Sequence, residues 1–385
     1  MIRVSSFIWI FLFSCFLTGC IERYYAEGDE FKAGTLVVIA HIDNFDHLQT
    51  IHISRSTNLE IPVRDPVSGC HVEIENGEGS AYEFLEEAPG EYQGLPLVHF
   101  LKAGEAYRLL IVTPEGKRYE SEFETMYPAP AIDSVYWIRE EHPGREPGNT
   151  QEGIQFYMNY EIEMDSGRYL RWQLEETYEF HNPAYEFKEI FDTDRTFKPV
   201  PAESDWNTCW IYNQLPDIYV KDLGNVEGEV YRAMPLNFVS NHSQRLKHRY
   251  SLLVRQFALS AEAYWYWEGL ENNLQSNGGL FDSQPSLTPG NICNPDDADE
   301  IVIGYFSVSG ATVKRVFVSD VPDLIIIEDP YFCVPGGLPY SFYRLSWEFL
   351  PYYLATLDAK YGSVDKKCID CREYKSSSHI PPEFW

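Results

Sequence analysis

Between residues 35 and 126 the apolar positions fall in short runs with the spacing of β-strands. Residues 35–41 have the pattern of a buried strand, and Ile51 and Ile53 alternate with polar neighbours. Similar short segments follow, separated by turns that contain glycine or proline. Regular strand spacing without a helical period predicts an antiparallel sandwich of the immunoglobulin or transthyretin type over residues 35–130.

The remainder, residues 131–385, follows a proline-containing linker and is predicted to be a second, larger β-rich domain. One prominent helix is predicted within it at residues 260–275. Ser260 is a suitable N-cap, and the glycines of Asn277-Gly278-Gly279 favour a left-handed turn at the end. The predicted apolar side of this helix consists of Tyr264, Trp267, Leu270 and Leu274. The fold class is therefore mainly β with one helix.

The first twenty residues have the features of a bacterial export signal. Arg3 precedes the apolar run 7–16, which is too short to span a bilayer comfortably. The run ends in four residues that resemble a lipobox: Leu17, Thr18, Gly19 and Cys20. In a lipobox the cysteine thiol receives a diacylglycerol, and the peptide before it is removed. This predicts a signal peptide at residues 1–19 and lipid anchoring through acylated Cys20; the alternative is an ordinary secretory signal.

Residues 20–34 form a short acidic tether after the cysteine. Its acidic residues near the anchor are Glu22, Glu27, Asp29 and Glu30. Such a stretch resembles the signal that sends some Bacteroidota lipoproteins to the outer face of the outer membrane, so we expect the protein to face the exterior. A plain solvated tether is the alternative, because acidic linkers repel themselves and extend. No other segment has 18 uninterrupted apolar residues, so the lipid is the only anchor predicted.

Charge and motifs narrow the possible functions. The chain carries 59 acidic against 30 basic residues, a formal net charge of −29, so nucleic acid is not expected as a partner. The sequence has no His-Glu-x-x-His, no Gly-x-Ser-x-Gly and no phosphate-binding loop. Its ten histidines show no metal-ligand spacing. No enzymatic activity, cofactor or metal is therefore predicted.

Six cysteines remain after the signal peptide and the lipidated position, an even number that favours disulfides in an oxidising compartment. The disulfide candidates are Cys333, Cys368, Cys371, Cys209 and Cys293. A bond from Cys333 to Cys368 or Cys371 would tie down the C-terminal tail, residues 366–385. Two alternatives stay open: a redox pair at Cys368-x-x-Cys371, and a zinc site that adds Cys333 and His379 to these two.

Two further patterns have a binding interpretation beside a structural one. Residues 294–300 concentrate oxygen ligands that calcium favours, but they lack the spacing of an EF-hand loop, so a solvated acidic loop is the preferred interpretation. Trp265 and Tyr266 could stack on sugar rings. Consecutive helix positions point in different directions, however, which favours burial of part of this aromatic set.

Several segments resemble domain-of-unknown-function family 4249, lipoproteins of the Bacteroidota. These segments include 249–260, 277–279, 304–306, 368–372 and 382–385. The resemblance implies a surface or periplasmic lipoprotein with two β-rich domains that associates with a TonB-dependent transporter. It supplies no catalytic residues. The expected role is therefore an accessory or ligand-binding protein of such a transporter; a free-standing adhesin or glycan-binding module is the alternative, followed by a hydrolase.

Overall fold

The fold was analysed in a computed structural model. The residues that it describes are 34–57, 63–95, 99–144, 148–161, 167–182, 186–191, 197–198, 207–225, 230–275, 288–327, 333, 352–357, 360–368 and 370–385. The lipobox with Cys20, the acidic residues of the tether and the glycines at 278–279 lie outside these residues. No helix in the described ranges is both long and apolar enough to cross a membrane.

The described chain is mainly β, as predicted, with one α-helix, α1 (Ala261–Gln275). The strands are β1 (Leu36–Asp43), β2 (Gln49–Arg55), β3 (Asp65–Pro66), β4 (His71–Asn76), β5 (Ala81–Ala88), β6 (Glu91–Gly94), β7 (Ala106–Val112), β8 (Arg118–Ser121), β9 (Glu124–Thr125), β10 (Ile132–Pro143), β11 (Thr150–Glu161), β12 (Tyr169–His181), β13 (Glu186–Phe191), β14 (Phe197–Lys198), β15 (Thr208–Gln214), β16 (Tyr219–Asp222), β17 (Val230–Ser240), β18 (Tyr250–Leu259), β19 (Ile292–Cys293), β20 (Val302–Ser309), β21 (Ala311–Val318), β22 (Tyr352–Leu357), β23 (Lys360–Val364) and β24 (Ser377–Ser378).

The first sheet has 11 strands and a sandwich-like arrangement. Its main order is β19-β8-β7-β4-β5-β6-β2-β1-β20. Strand β5 belongs to both halves, because residues 81–84 pair with β4 and residues 85–88 pair with β6. The inward positions of both halves form one apolar core, in which Ile51, Val72 and Tyr92 are fully buried. The alternating pattern of the sequence therefore identifies the core face correctly.

Two strands of this sheet come from far along the chain. Strand β20 pairs in parallel with the whole of β1, and β19 pairs with β8. The predicted domain division assumed that residues 35–130 build the first sheet alone. They do not, because β19 and β20 belong to it as well. Gly304 shows why the pairing is close: its φ is +120°, and a Cβ there would lie 1.8 Å from the Val38 carbonyl oxygen. No local pattern predicts such pairing, since the partners His41 and Ser307 are 266 residues apart.

The second part of the molecule packs two sheets against each other. A six-stranded sheet has the order β21-β18-β12-β15-β24, with β16 also paired to β12, and a three-stranded sheet has the order β10-β11-β17. Their shared core includes Phe156, Tyr160, Trp172 and Tyr250, all almost completely buried. Strand β18 lies between β21 and β12 and is buried along nearly its full length. A separate four-stranded sheet contains β13, β14, β22 and β23.

The helix begins as predicted. The Ser260 hydroxyl accepts a hydrogen bond from the Ala263 amide at 3.0 Å, which caps the first turn. The helix packs through its first two turns, where Ala263 and Tyr264 join a small apolar cluster with Tyr305. Leu274 is 62% exposed, so the prediction that it belongs to the apolar side is wrong. The cluster lies against the first two turns, and the last turn extends beyond it.

Two disulfides join the tail to the rest of the second part. One links Cys333 to Cys368, and the other links Cys209 on β15 to Cys371. Cys293 is an exposed free thiol, so its place among the disulfide candidates is wrong. Three of the proposed zinc ligands are disulfide sulfurs, and Cys368 and Cys371 have different partners. The zinc and redox interpretations are therefore both wrong, because Cys333, Cys368 and Cys371 are all disulfide-bonded and none is available as a thiolate.

Candidate functional site

A polar cavity of about 390 Å³ lies between the 11-stranded first sheet and the six-stranded sheet. Strands β1 and β2 of the first sheet form one wall, and strands β12, β15 and β18 with helix α1 form the other. The side chains that determine its chemistry are His41, Asp43, His47, His52, Arg171, Gln173, Glu175, Gln214, Arg255, Phe257 and Trp267. Ligand sites in proteins occur preferentially at such seams between structural units.

Strand alternation explains how β12 presents polar side chains to this cavity. Leu170, Trp172 and Leu174 point into the core shared with the three-stranded sheet. Arg171 and Gln173 occupy the alternate positions and therefore line the cavity on the opposite face. Strand β12 thus has an apolar face and, beside the cavity, a polar face with β1 and β2 opposite it.

Arg171 is the central side chain of the site. It is only 8% exposed, and its guanidinium carbon lies 4.0 Å from the Trp267 ring centroid and 4.9 Å from that of Phe257. Its Nε has no hydrogen-bond partner, and no carboxylate of the described residues lies within ion-pair distance. Burial lowers the pKa of Arg171 to about 10, with Asp43 opposing the shift, so the group remains charged at neutral pH. A buried guanidinium without an acidic partner is costly.

Other buried donors accompany this charge. One terminal nitrogen of Arg255 and the indole nitrogen of Trp267 have no hydrogen-bond partner, although Arg255 Nε donates to Glu175 at 2.8 Å. His41 Nδ1 lies 2.8 Å from the Ser307 hydroxyl, while its Nε2 has no partner. Burial, assisted by Arg171, holds the pKa of His41 well below its usual range, so this imidazole is neutral at pH 7. With His52, whose Nδ1 also has no hydrogen-bond partner, five cavity-lining residues contain an unsatisfied polar atom.

The two acidic groups of the cavity are engaged elsewhere. Asp43 is buried and accepts a hydrogen bond from the Phe45 amide at 2.7 Å, and His47 lies 3.4 Å from it. Burial raises the pKa of Asp43 above its usual value. Glu175 is the ion-pair partner of Arg255. Neither acid therefore neutralises Arg171 by direct contact.

A second cavity of about 310 Å³ adjoins the first. It shares Arg171, Gln173, Gln214 and Trp267 with the first cavity and extends along residues 215–218. Arg171 therefore lies between two connected spaces and can reach a ligand in either. We call the two spaces together the Arg171 cleft.

The chemistry of the Arg171 cleft suits the binding of an anion. A carboxylate or phosphate would satisfy the guanidinium with charge-assisted hydrogen bonds, which are about twice as strong as neutral ones. The indole and amide groups nearby can orient the remainder of a small molecule. The aromatic rings of Phe257 and Trp267 hold the guanidinium in place before binding.

Trp265 and Tyr266 do not form a shared stacking platform. Trp265 is 59% exposed and contacts Tyr264 edge-on. Tyr266 instead stacks on Tyr305 at 4.8 Å and belongs to the cluster under the helix. The two rings therefore lie on different sides of α1, as the geometry of consecutive helix positions requires.

The acidic loop at residues 294–300 is neither a calcium site in form nor simply solvated. Asp296 forms two hydrogen bonds with the Arg118 guanidinium, at 2.8 and 3.1 Å. Glu300 accepts hydrogen bonds from Lys117 at 2.8 Å and from the Tyr119 hydroxyl at 2.9 Å. Asp296 and Glu300 thus fasten the loop to the start of β8, whereas Asp297 and Asp299 are exposed, as expected for a solvated loop.

The sequence did not identify the Arg171 cleft. Its residues come from β1, β2, β12, β15, β18 and α1, and these elements are spread over more than 200 positions of the sequence. The one local signal is an arginine between Leu170 and Trp172 in a strand whose alternate positions are apolar. An arginine at such a position is ordinarily solvated, and here the first sheet covers it.

The fold and the cleft together define a mainly β protein with a polar, cation-lined cavity at the seam between two β units. A family model described as Domain of unknown function (DUF4249) matches residues 21–315, and the chain belongs to this family. The matched region contains every residue of the Arg171 cleft and ends before the disulfide-tied tail. No curated protein matches the chain.

Proposed function

We propose that this protein is a lipid-anchored outer-membrane protein that captures a small anionic molecule in the Arg171 cleft, as an accessory to a TonB-dependent transporter. The observation that carries the binding role is the buried, unpaired guanidinium of Arg171. A chain with a net charge of −29 has a general excess of carboxylates, yet none of the described ones contacts this group. A buried cation that has no acidic side chain in contact with it is suited to bind an anion from solution.

The anchor and the transporter rest on the sequence. Cys20 ends a segment that resembles a lipobox, and several acyl chains suffice for stable attachment. The predicted tether, residues 20–34, is only about fifteen residues long, which keeps the cleft near the membrane surface. A ligand held there would be available to a transporter in the same membrane.

Thermal melting in the presence of small anions tests the binding role. The probes are benzoate, succinate and inorganic phosphate, compared with glucose as an uncharged control. A ligand at about 100 times its Kd adds about 2.7 kcal/mol to the stability of the folded state, so a true ligand raises the Tm clearly. The effect should disappear in Arg171→Met.

Arg168→Met is the matched control. Arg168 immediately precedes β12, is exposed, and already forms two hydrogen bonds with Asp222, at 2.6 and 2.7 Å. It should retain the anion effect of the wild type. An identical response of the wild type and Arg171→Met, or no response to any of the three anions, would argue against the cleft as an anion site.

The anchor has an independent test. Cys20→Ser should release the protein from the membrane fraction or leave it uncleaved, because no thiol remains to accept the lipid. Protease treatment of intact cells should digest the wild type if it faces the exterior. Co-purification of an outer-membrane transporter in mild detergent tests the partner.

A further inference from the structure

A second cluster of ligand-type side chains lies at the other end of β12, away from the Arg171 cleft. Glu179 and His181 occupy alternate positions of this strand and therefore share a face. His248 precedes β18, the neighbouring strand, and the Glu179 amide bonds to the carbonyl oxygen of the next residue, Arg249, at 2.9 Å. Backbone pairing thus brings the three side chains together, although 67 positions separate His181 from His248.

The three side chains form a compact donor set. One ligand atom from each of Glu179, His181 and His248 lies within 4.8 Å of the other two. The imidazole rings of the two histidines are stacked with centroids 3.7 Å apart, and His181 Nε2 lies 2.7 Å from Glu179 Oε1. All three are half-buried, so the cluster is held by its surroundings and remains open to solvent on one side.

Outer contacts position the carboxylate. The Trp385 indole nitrogen donates to Glu179 Oε2 at 3.4 Å, which leaves Oε1 directed at His181. Trp385 is itself held between Arg249 and Trp210. Second contacts of this kind orient metal ligands in proteins and raise their affinity for the ion.

We infer that Glu179, His181 and His248 bind a divalent transition-metal ion, with Zn²⁺ as the best fit. Two imidazole nitrogens and one carboxylate oxygen form a common three-ligand set for zinc, and a water molecule would complete the coordination. Imidazole nitrogens favour zinc, nickel and copper over magnesium and calcium. Because Trp385 contacts one ligand, bound metal would also stabilise the docked end of the tail.

The test is calorimetric titration of the untagged full-length chain with ZnCl₂, with Cys293→Ser as the background. That substitution removes the exposed free thiol, which could bind zinc by itself. We expect the Cys293→Ser protein to bind Zn²⁺ at one site. In this background, His181→Ala and His248→Ala should each lower the zinc affinity of that site at least tenfold. CaCl₂ should give no binding at this site.

His142→Ala is the matched control. His142 also follows a glutamate by two strand positions, and its Nε2 lies 3.1 Å from Glu140 Oε2, but it belongs to no three-ligand group in the described part of the chain. It should bind zinc like the background protein. Zinc should also raise the Tm of the background and of His142→Ala, and leave that of His248→Ala unchanged. Equal affinity in the background and His248→Ala, or no zinc binding by the folded background protein, would overturn the assignment.

Discussion

Strand β12 contains two buried charges whose surroundings differ completely. Glu176 is buried in the second part and accepts hydrogen bonds from Arg245 at 3.1 Å, Tyr250 at 2.9 Å and Asn213 at 2.9 Å. Arg171, five residues earlier on the same strand, has two aromatic rings beside it and no acidic partner among the described residues. Burial is nearly equal, at 3% exposure for Glu176 and 8% for Arg171.

The difference separates a structural charge from a binding charge. A fully hydrogen-bonded buried carboxylate holds its neighbours in one arrangement, and losing it leaves them unsatisfied. An unpaired buried guanidinium contributes little to stability and is instead ready for a partner. The two faces of one strand therefore serve different purposes, and each can be altered separately.

The largest expected effect concerns the C-terminal end of β12, near Phe180. The Cys209–Cys371 disulfide packs with Phe180 at this end and closes a loop of 162 residues, against 35 for Cys333–Cys368. Loop-closure entropy predicts losses of about 5 kcal/mol for the double variant Cys209→Ser/Cys371→Ser and about 4 kcal/mol for Cys333→Ser/Cys368→Ser. Urea denaturation measures both. A negligible loss in the first variant would show that the tail does not support this end of the strand.

Glu176→Gln should cost about 2–3 kcal/mol, because the buried carboxylate accepts hydrogen bonds from Arg245, Tyr250 and Asn213, and a neutral amide weakens all three. Glu175→Gln is the matched control on the opposite face of β12. Its side chain is 35% exposed in its ion pair with Arg255, so it should cost less than about 1 kcal/mol. Equal losses in the two variants, measured by urea denaturation, would contradict the structural role assigned to Glu176.

A smaller effect is expected in the pH dependence of stability, from His41 in the Arg171 cleft. Burial depresses the pKa of His41 in the folded state, so between its folded pKa and about 6.5 the unfolded chain binds more protons. The contribution of His41 is therefore fully present above pH 6.5 and is lost as pH falls, by about 1.4 kcal/mol for each pH unit down to the folded pKa. His41→Gln should flatten this part of the stability profile. An unchanged slope would assign the pH dependence to other groups.

The smallest effect on stability is expected for Arg171→Met. The substitution loses cation–π contacts worth roughly 1–2 kcal/mol but also removes an uncompensated buried charge, so the net change should stay within about 1 kcal/mol. Anion binding should nevertheless be abolished. A loss as large as that of Glu176→Gln would remove the contrast between the two faces of β12 and make Arg171 a structural residue.

Local patterns predicted the individual elements well and their assembly poorly. The alternation at Ile51, Ile53, Val72 and Ile74 placed these residues in the core, and the capped helix begins where Ser260 indicated. The pairing of β20 with β1 could not be predicted, because parallel strands far apart in sequence leave no mark on either segment. The exposure of Leu274 was missed for a related reason: helical spacing shows which positions share a face, but not how far the neighbouring cluster extends.

The sequence by itself determined the mainly β class, the helix, the family and the cysteines available to tie the tail. These properties depend on local periodicity, capping and composition, which any short window of the chain contains. Only the tertiary structure decided which cysteines pair, that Trp265 and Tyr266 separate, and that Arg171 lies buried without an acidic partner. Burial and pairing of a charge depend on what another part of the chain places beside it. For Arg171 these neighbours are Phe257 and Trp267, 86 and 96 residues away, with β1 and β2 across the cavity.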